Sequence, residues 1–260
     1  MSLPSAGWLF VARMAIDRAL KIAQGAGRAD CVPSESSRRT LEGEARVISR
    51  RLFQPGREWV LLAALLVVVS GVTVAERAHL IPLSALAASP HAVAEARIWS
   101  LLTSAMLAQA PVFWSLSSFG LLGALTLGVC GGPVLWISAL AGHIGSTLVV
   151  YALMAVARTV DPRVFEVVQK APDFGVSAIS AAWLGAVAAV AWRARDTTLR
   201  GKIATTLAVA ATALFGWMLR RHLSVLDLEH VFAFGIGVTV AVLAARTVNV
   251  RRQKLEAAPS

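Results

Sequence analysis

The stretch VLWISALAGHIGSTLVVYALMAV, Val134 to Val156, decides the class of this protein. It carries no Asp, Glu, Lys or Arg, and it exceeds the ~20 helical residues that cross a hydrocarbon core about 30 Å thick. Working outward, five further apolar runs bounded by charge lie at about Trp59 to Val74, Val112 to Val129, Phe174 to Trp192, Ile203 to Leu219 and Val231 to Val248. All are rich in Ala, Val and Leu with scattered Gly, and none shows the apolar/polar alternation of a transmembrane barrel. The composition agrees: 57% hydrophobic and 15% charged excludes a water-soluble domain, which needs roughly a quarter charged residues. The expectation is an all-α polytopic membrane protein, a bundle of six transmembrane helices.

A formal charge of +10 would suggest nucleic acid as the partner of a soluble protein, but in a membrane protein basic residues retained on the cytoplasmic side explain it. Ten Lys and Arg precede Trp59, from Arg13 to Arg57. Four lie between Arg193 and Lys202, and Arg246, Arg251, Arg252 and Lys254 close the chain, so 18 of 25 fall on one side. Arg77, Arg97, Arg158, Arg163, Lys170, Arg220 and Arg221 fall on the other. Both termini are therefore expected in the cytoplasm, with the bilayer of the cell (plasma) membrane as partner and no nucleic acid. Residues 1–56 read as a basic cytoplasmic extension, 57–250 as the membrane domain and 251–260 as a tail. In the extension, Arg13, Asp17, Lys21, Gln24 and Arg28 share one helical face opposite Trp8, Ala12, Ile16, Ala19 and Ala23. That pattern suits either a helix lying in the anionic inner interface or a frayed tail. Charges at Arg13, Asp17 and Arg18 exclude a cleavable signal peptide, and residues 29–56 read as a polar linker.

Polar residues inside the spans are costly unless they have partners or line a cavity. His143 lies mid-span, with Thr147 and Tyr151 following on the same face. Ser115, Ser117 and Ser118 lie on the second span, Ser177 and Ser180 near the start of the fourth, and His230 at the start of the sixth. The fourth and sixth spans run in the same direction, which puts Ser177 and His230 at similar depth. Small-residue stripes (Ser177, Ala181, Gly185 and Ala188; His230, Ala233, Gly237, Ala241 and Ala244) let two such helices approach closely. A neutral imidazole within hydrogen-bond reach is the usual activator of a serine hydroxyl, so a Ser177/His230 dyad is available. The plainer reading of Ser177 is a helix serine bonded to its own backbone carbonyl. For His143 it is a buried hydrogen bond to a neighbouring helix. Pro172-Asp173-Phe174-Gly175 reads as a helix entrance with Asp173 as cap, whose free amides favour a developing anion.

These residues resemble the rhomboid family. Gly175-Val176-Ser177-Ala178 followed by a small-residue helix through Leu184-Gly185-Ala186 is similar to the fourth-helix GxSG motif. Asp227-Leu228-Glu229-His230 with Ala233 and Gly237 is similar to the sixth-helix motif, in which an acidic residue precedes a catalytic histidine. Arg97-Ile98-Trp99-Ser100-Leu101-Leu102-Thr103 resembles the approach to the second helix. The resemblance covers roughly residues 57–250. It implies a rhomboid-like intramembrane serine protease with Ser177 as nucleophile and His230 as base, needing no metal or cofactor; the candidates for supporting the oxyanion in this chain are Ser117, which could donate one hydrogen bond, His143, and the backbone amides of the entrance at Asp173 and Gly175.

The chain departs from the family pattern at several positions. Ala178 and Ala233 replace glycines, and Phe113 and Ser117 stand where the family has the His and Asn that hold the oxyanion. No Asp or Glu occurs between Glu95 and Asp161. These replacements suit a second reading, a pseudoprotease that binds transmembrane clients without cleaving them. A transporter subunit is a third reading, for which repeated halves or interrupted helices would speak; the sequence shows neither. The five scattered histidines lack the spacing of a metal site, and Cys31 and Cys130 lie in unrelated segments with no disulfide pattern.

Overall fold

A computed structural model describes residues 56–160, 162, 169–194, 209 and 225–256. Among them the fold is all-α: α1 (Arg57–Arg77), α2 (Leu83–Leu86), α3 (Pro90–Ala94), α4 (Ser100–Thr103), α5 (Val112–Cys130), α6 (Gly132–Arg158), α7 (Ser177–Ala194) and α8 (Val225–Glu256). A single 3₁₀ turn, Ser104–Met106, follows α4, and the one β feature is an isolated bridge between Ala88 and Asp173. Helices α1, α5, α6 and the Asp227–Thr247 part of α8 are each long and apolar enough to cross a membrane, and α7 is a shorter apolar helix. The chain is thus a multi-pass membrane protein in a lipid bilayer. The basic extension and the expected span at Ile203 to Leu219 lie outside the described residues, apart from Gly56 and Val209.

Five of the six expected spans coincide with a helix, with shifted ends. The fourth begins at Ser177 rather than Phe174, because residues 173–176 pair with another segment and cannot join the helix. The sixth begins six residues early, at Val225, and continues through Glu256, past the apolar stretch and through most of the expected tail. Glycine separates α5 from α6 at Gly131, whose φ of +89° few other residues adopt; Pro133 then occupies the first turn of α6, where its missing N–H costs nothing.

The core is built around α7, whose Ala182, Trp183, Ala186 and Val187 are completely buried. Trp183 stacks on Phe119 of α5 with ring centroids 4.8 Å apart, and its indole N–H donates to the Leu135 carbonyl of α6 at 2.9 Å. On its other side α7 touches α8 backbone to backbone. A Cβ added at Gly185 would overlap the Phe234 carbonyl, and one at Gly237 would overlap the Ala182 carbonyl. Such glycines let transmembrane helices close by dispersion contact, since lipid supplies no hydrophobic drive between helices. Outward-facing Val67, Leu121, Leu140 and Leu243 stay exposed on the protein, as side chains covered by hydrocarbon do.

Between α1 and α5, residues 78–111 fold into short pieces for local reasons. His79 and Ala96 break the helical path at positive φ. The Ser89 hydroxyl caps α3 by accepting the Ala92 N–H at 3.0 Å. Thr103 Oγ1 donates to the Leu86 carbonyl at 2.8 Å, and the Ala108 N–H donates to Thr73 Oγ1 of α1 at 2.9 Å. The segment is thereby fastened over the end of the bundle at which α7 begins.

Candidate active site

The entrance of α7 is held in place by main-chain pairing. Asp173 and Ala88 exchange both backbone hydrogen bonds, the Gly175 N–H donates to the Ser104 carbonyl at 2.9 Å, and the Val176 N–H donates to the Leu107 carbonyl at 3.1 Å. The Gln109 amide donates to the Phe174 carbonyl at 3.0 Å. Gly175 turns the chain into the helix at φ +134°, a conformation that strains an L side chain. Ser177 is then the first residue of α7 and is half-buried. It has no preceding helical turn to bond back to. The serine that does so is Ser180, whose hydroxyl donates to the Val176 carbonyl at 3.1 Å. The N–H groups of the first turn, at Ser177, Ala178 and Ile179, have no acceptor within the helix.

Packing registers set what lies beside Ser177. Ala178, Ala181 and Ala182 cluster with Ala233, and further along Ala186 clusters with Ala241, so α7 and α8 run parallel. Extrapolated back to the start of α7, that register brings Ser177 level with Glu229 and His230. Helix α6 runs the other way: Val134 packs on Ala186 and Gly142 on Ala182, which sets Thr147 at the same depth. On α8 the buried face reads Glu229, Ala233, Gly237 and Ala241, at steps of four. Glu229 therefore heads the stripe that the sequence assigned to His230. His230 sits one residue around the helix and is half-buried.

At this level a polar ladder crosses the apolar bundle. His143, Thr147 and Tyr151 of α6 share one face. His143 Nε2 is 3.1 Å from the Ser104 hydroxyl, and its Nδ1 lies 4.0 Å from Glu229 Oε1. Thr147 Oγ1 donates to the same Glu229 oxygen at 2.6 Å, and the Tyr151 hydroxyl donates to Asp173 Oδ2 at 3.2 Å. Because Thr147 and Tyr151 lie one turn apart on α6, the carboxyls they donate to, Glu229 and Asp173, are brought to neighbouring positions. Burial pushes the Asp173 carboxyl above the ordinary carboxylate range, against the opposing pull of the Tyr151 hydroxyl.

Of the residues singled out in the sequence, Gly175, Asp173 and His143 meet at the α7 entrance, where Ser177 begins the helix, and His230 lies on α8 next to Glu229 in the chain. Ser117 does not: it and Phe113 are exposed on the outer side of α5, whose inner face is Phe119, Gly123, Thr126 and Leu127. Asp173 lies four residues before the helix, and its carboxyl serves the ladder rather than a cap. Ser104 and the structural part played by Glu229 escaped the sequence reading. For Glu229 the available signal is its four-residue spacing to Ala233 and Gly237; for Ser104, inside an irregular segment, no periodic signal exists. No family model, curated protein or solved structure matches the chain.

Proposed function

We propose that this chain is a rhomboid-like intramembrane serine protease that cleaves transmembrane segments with Ser177 as nucleophile and His230 as base. The observation that supports the reading is the parallel run of α7 and α8: continued back to the start of α7, it points Ser177 toward the depth of His230, and both side chains are half-buried. In the reaction Ser177 Oγ attacks a peptide carbonyl while His230 takes its proton. His230 returns that proton to the leaving amine, and water then releases the acyl-enzyme by the same base. Charge on the tetrahedral oxygen falls to the first-turn amides of α7 and the positive end of its dipole. No metal or cofactor enters these steps. The bilayer is that of the plasma membrane, with both termini and most of the basic residues on the cytoplasmic side.

The lipid-facing Ser117 and Phe113 favour a second reading. With α5 supplying no oxyanion donor, a loss of about 100- to 1000-fold per missing donor is expected, and the extreme of that trend is a client-binding pseudoprotease. Co-expression with a panel of reporters carrying single transmembrane segments separates the two. The protease reading predicts a cleaved reporter with the wild-type chain and loss of cleavage, on the order of 10⁴-fold or more, with Ser177→Ala or His230→Ala. Reporters that co-purify with the chain but stay intact would establish the second reading instead.

A further inference from the structure

Helix α6 offers two hydroxyls one turn apart, Thr147 and Tyr151, and each donates to a different carboxyl: Glu229 of α8 at 2.6 Å and Asp173 of the α7 entrance at 3.2 Å. Residues four apart on a helix are side-by-side neighbours, so this pairing alone sets the two acids next to each other. They belong to the two segments that matter most. Asp173 precedes Ser177 by four residues, and Glu229 adjoins His230. Glu229 is 4% exposed, and two ionised carboxylates held as neighbours away from water repel, so the arrangement favours one proton on the pair.

We propose that Asp173 and Glu229 form a proton-dependent clasp that holds the entrance of α7 against that of α8, with Glu229 as a positioning residue for His230. The proposal rests on the protease reading for its consequence in catalysis, but not for its effect on stability. With one proton shared, the carboxyls attract and the two entrances stay in register. With none, like charges separate them, and the register between the start of α7 and His230 is lost. The groups facing the pair are His143 and Tyr151 from α6; on α8, His230 and Asp227 flank Glu229 in the chain, and Lys170 lies on the Asp173 segment. From residues 78–111, His91, Glu95 and Arg97 pair with one another at the rim, at 3.1 and 3.6 Å, His79 lies exposed just after α1, and Ser104 reaches the ladder as a neutral hydroxyl.

The sign of the pH effect follows from Asp173, whose folded-state value lies above its unfolded one. Such a group adds most to stability at acid pH, and that contribution is lost as pH rises through the raised value. The test uses the full-length chain in detergent between about pH 4 and 10, a range running from ordinary carboxyl values up through raised ones. Unfolding temperature and the rate of fluorophosphonate labelling are followed together for wild type, Glu229→Gln, Glu229→Ala and Asp173→Asn. Wild type should lose at least about 4 °C and about tenfold in labelling rate as pH rises across that range. Glu229→Gln and Asp173→Asn, which keep the contact without the charge, should flatten both losses, while Glu229→Ala should weaken stability at every pH. An alkaline loss in Glu229→Gln equal to that of wild type would overturn the clasp, as would identical behaviour of the Gln and Ala variants. Flattened stability profiles without labelling at any pH would keep the clasp and reject the protease. Labelling with unaltered profiles would do the reverse.

Discussion

At Gly175 the backbone does something that its neighbours cannot. A φ of +134° lets the chain pass from pairing with Ser104 and Leu107 straight into α7, so that Ser177 arrives on the first turn. A side chain at this position would be strained, and its Cβ would press on the Gln109 amide, 3.2 Å away. Gly175→Ala is expected to cost about 1–3 kcal/mol and to slow labelling of Ser177, because relief of the strain moves the turn that presents it. Thermal unfolding and labelling rate check this together; an alanine variant matching wild type in both would show that the turn does not position the serine. At the same scale, the sequence made Ser177, His143 and Gly175 conspicuous because polar and flexible residues are rare in apolar runs. It hid Ser104, one of many serines in an irregular segment, and it gave no sign that Asp173 faces Glu229 rather than capping α7. Both facts depend on contacts between residues far apart in the chain.

Between elements, the decisive contact is the one between α7 and α8. Gly185 and Gly237 allow the two backbones to touch, and the parallel register that results sets the depth of every group at the candidate site. Gly185→Leu or Gly237→Leu should force the helices apart, lower stability by about 1–3 kcal/mol or more and abolish labelling even though Ser177 and His230 are unchanged. Retained labelling in both variants would separate the site from the register. Much of this level was legible in advance: each described span coincides with a helix, four of the five with ends within a few residues, since a membrane helix is announced by length and apolar composition. Helix ends were less legible, because α7 starts where pairing with residues 104–107 stops and α8 continues beyond the apolar stretch. The 78–111 segment was not legible at all, as short capped turns leave no period to read.

Taken as a whole, the molecule is a bundle whose apolar outer faces need lipid and whose polar residues concentrate near one end of α7. Exposed Val67, Leu121 and Leu140 are at home in hydrocarbon, whereas His143, Glu229 and Thr147 are buried only because each has a partner. Burying ionisable groups inside a membrane protein is expensive and is characteristic of functional sites. The positions that could have served the oxyanion from α5 face outward instead, so under the protease reading that work would fall to the first turn of α7. The measurement that tests this account most directly is fluorophosphonate labelling of the purified full-length chain, with the modified residue mapped by mass spectrometry. A single adduct on Ser177, lost in Ser177→Ala and in His230→Ala while both variants remain folded, is the predicted result. An adduct elsewhere, or labelling of Ser177 that persists undiminished in His230→Ala, would contradict it.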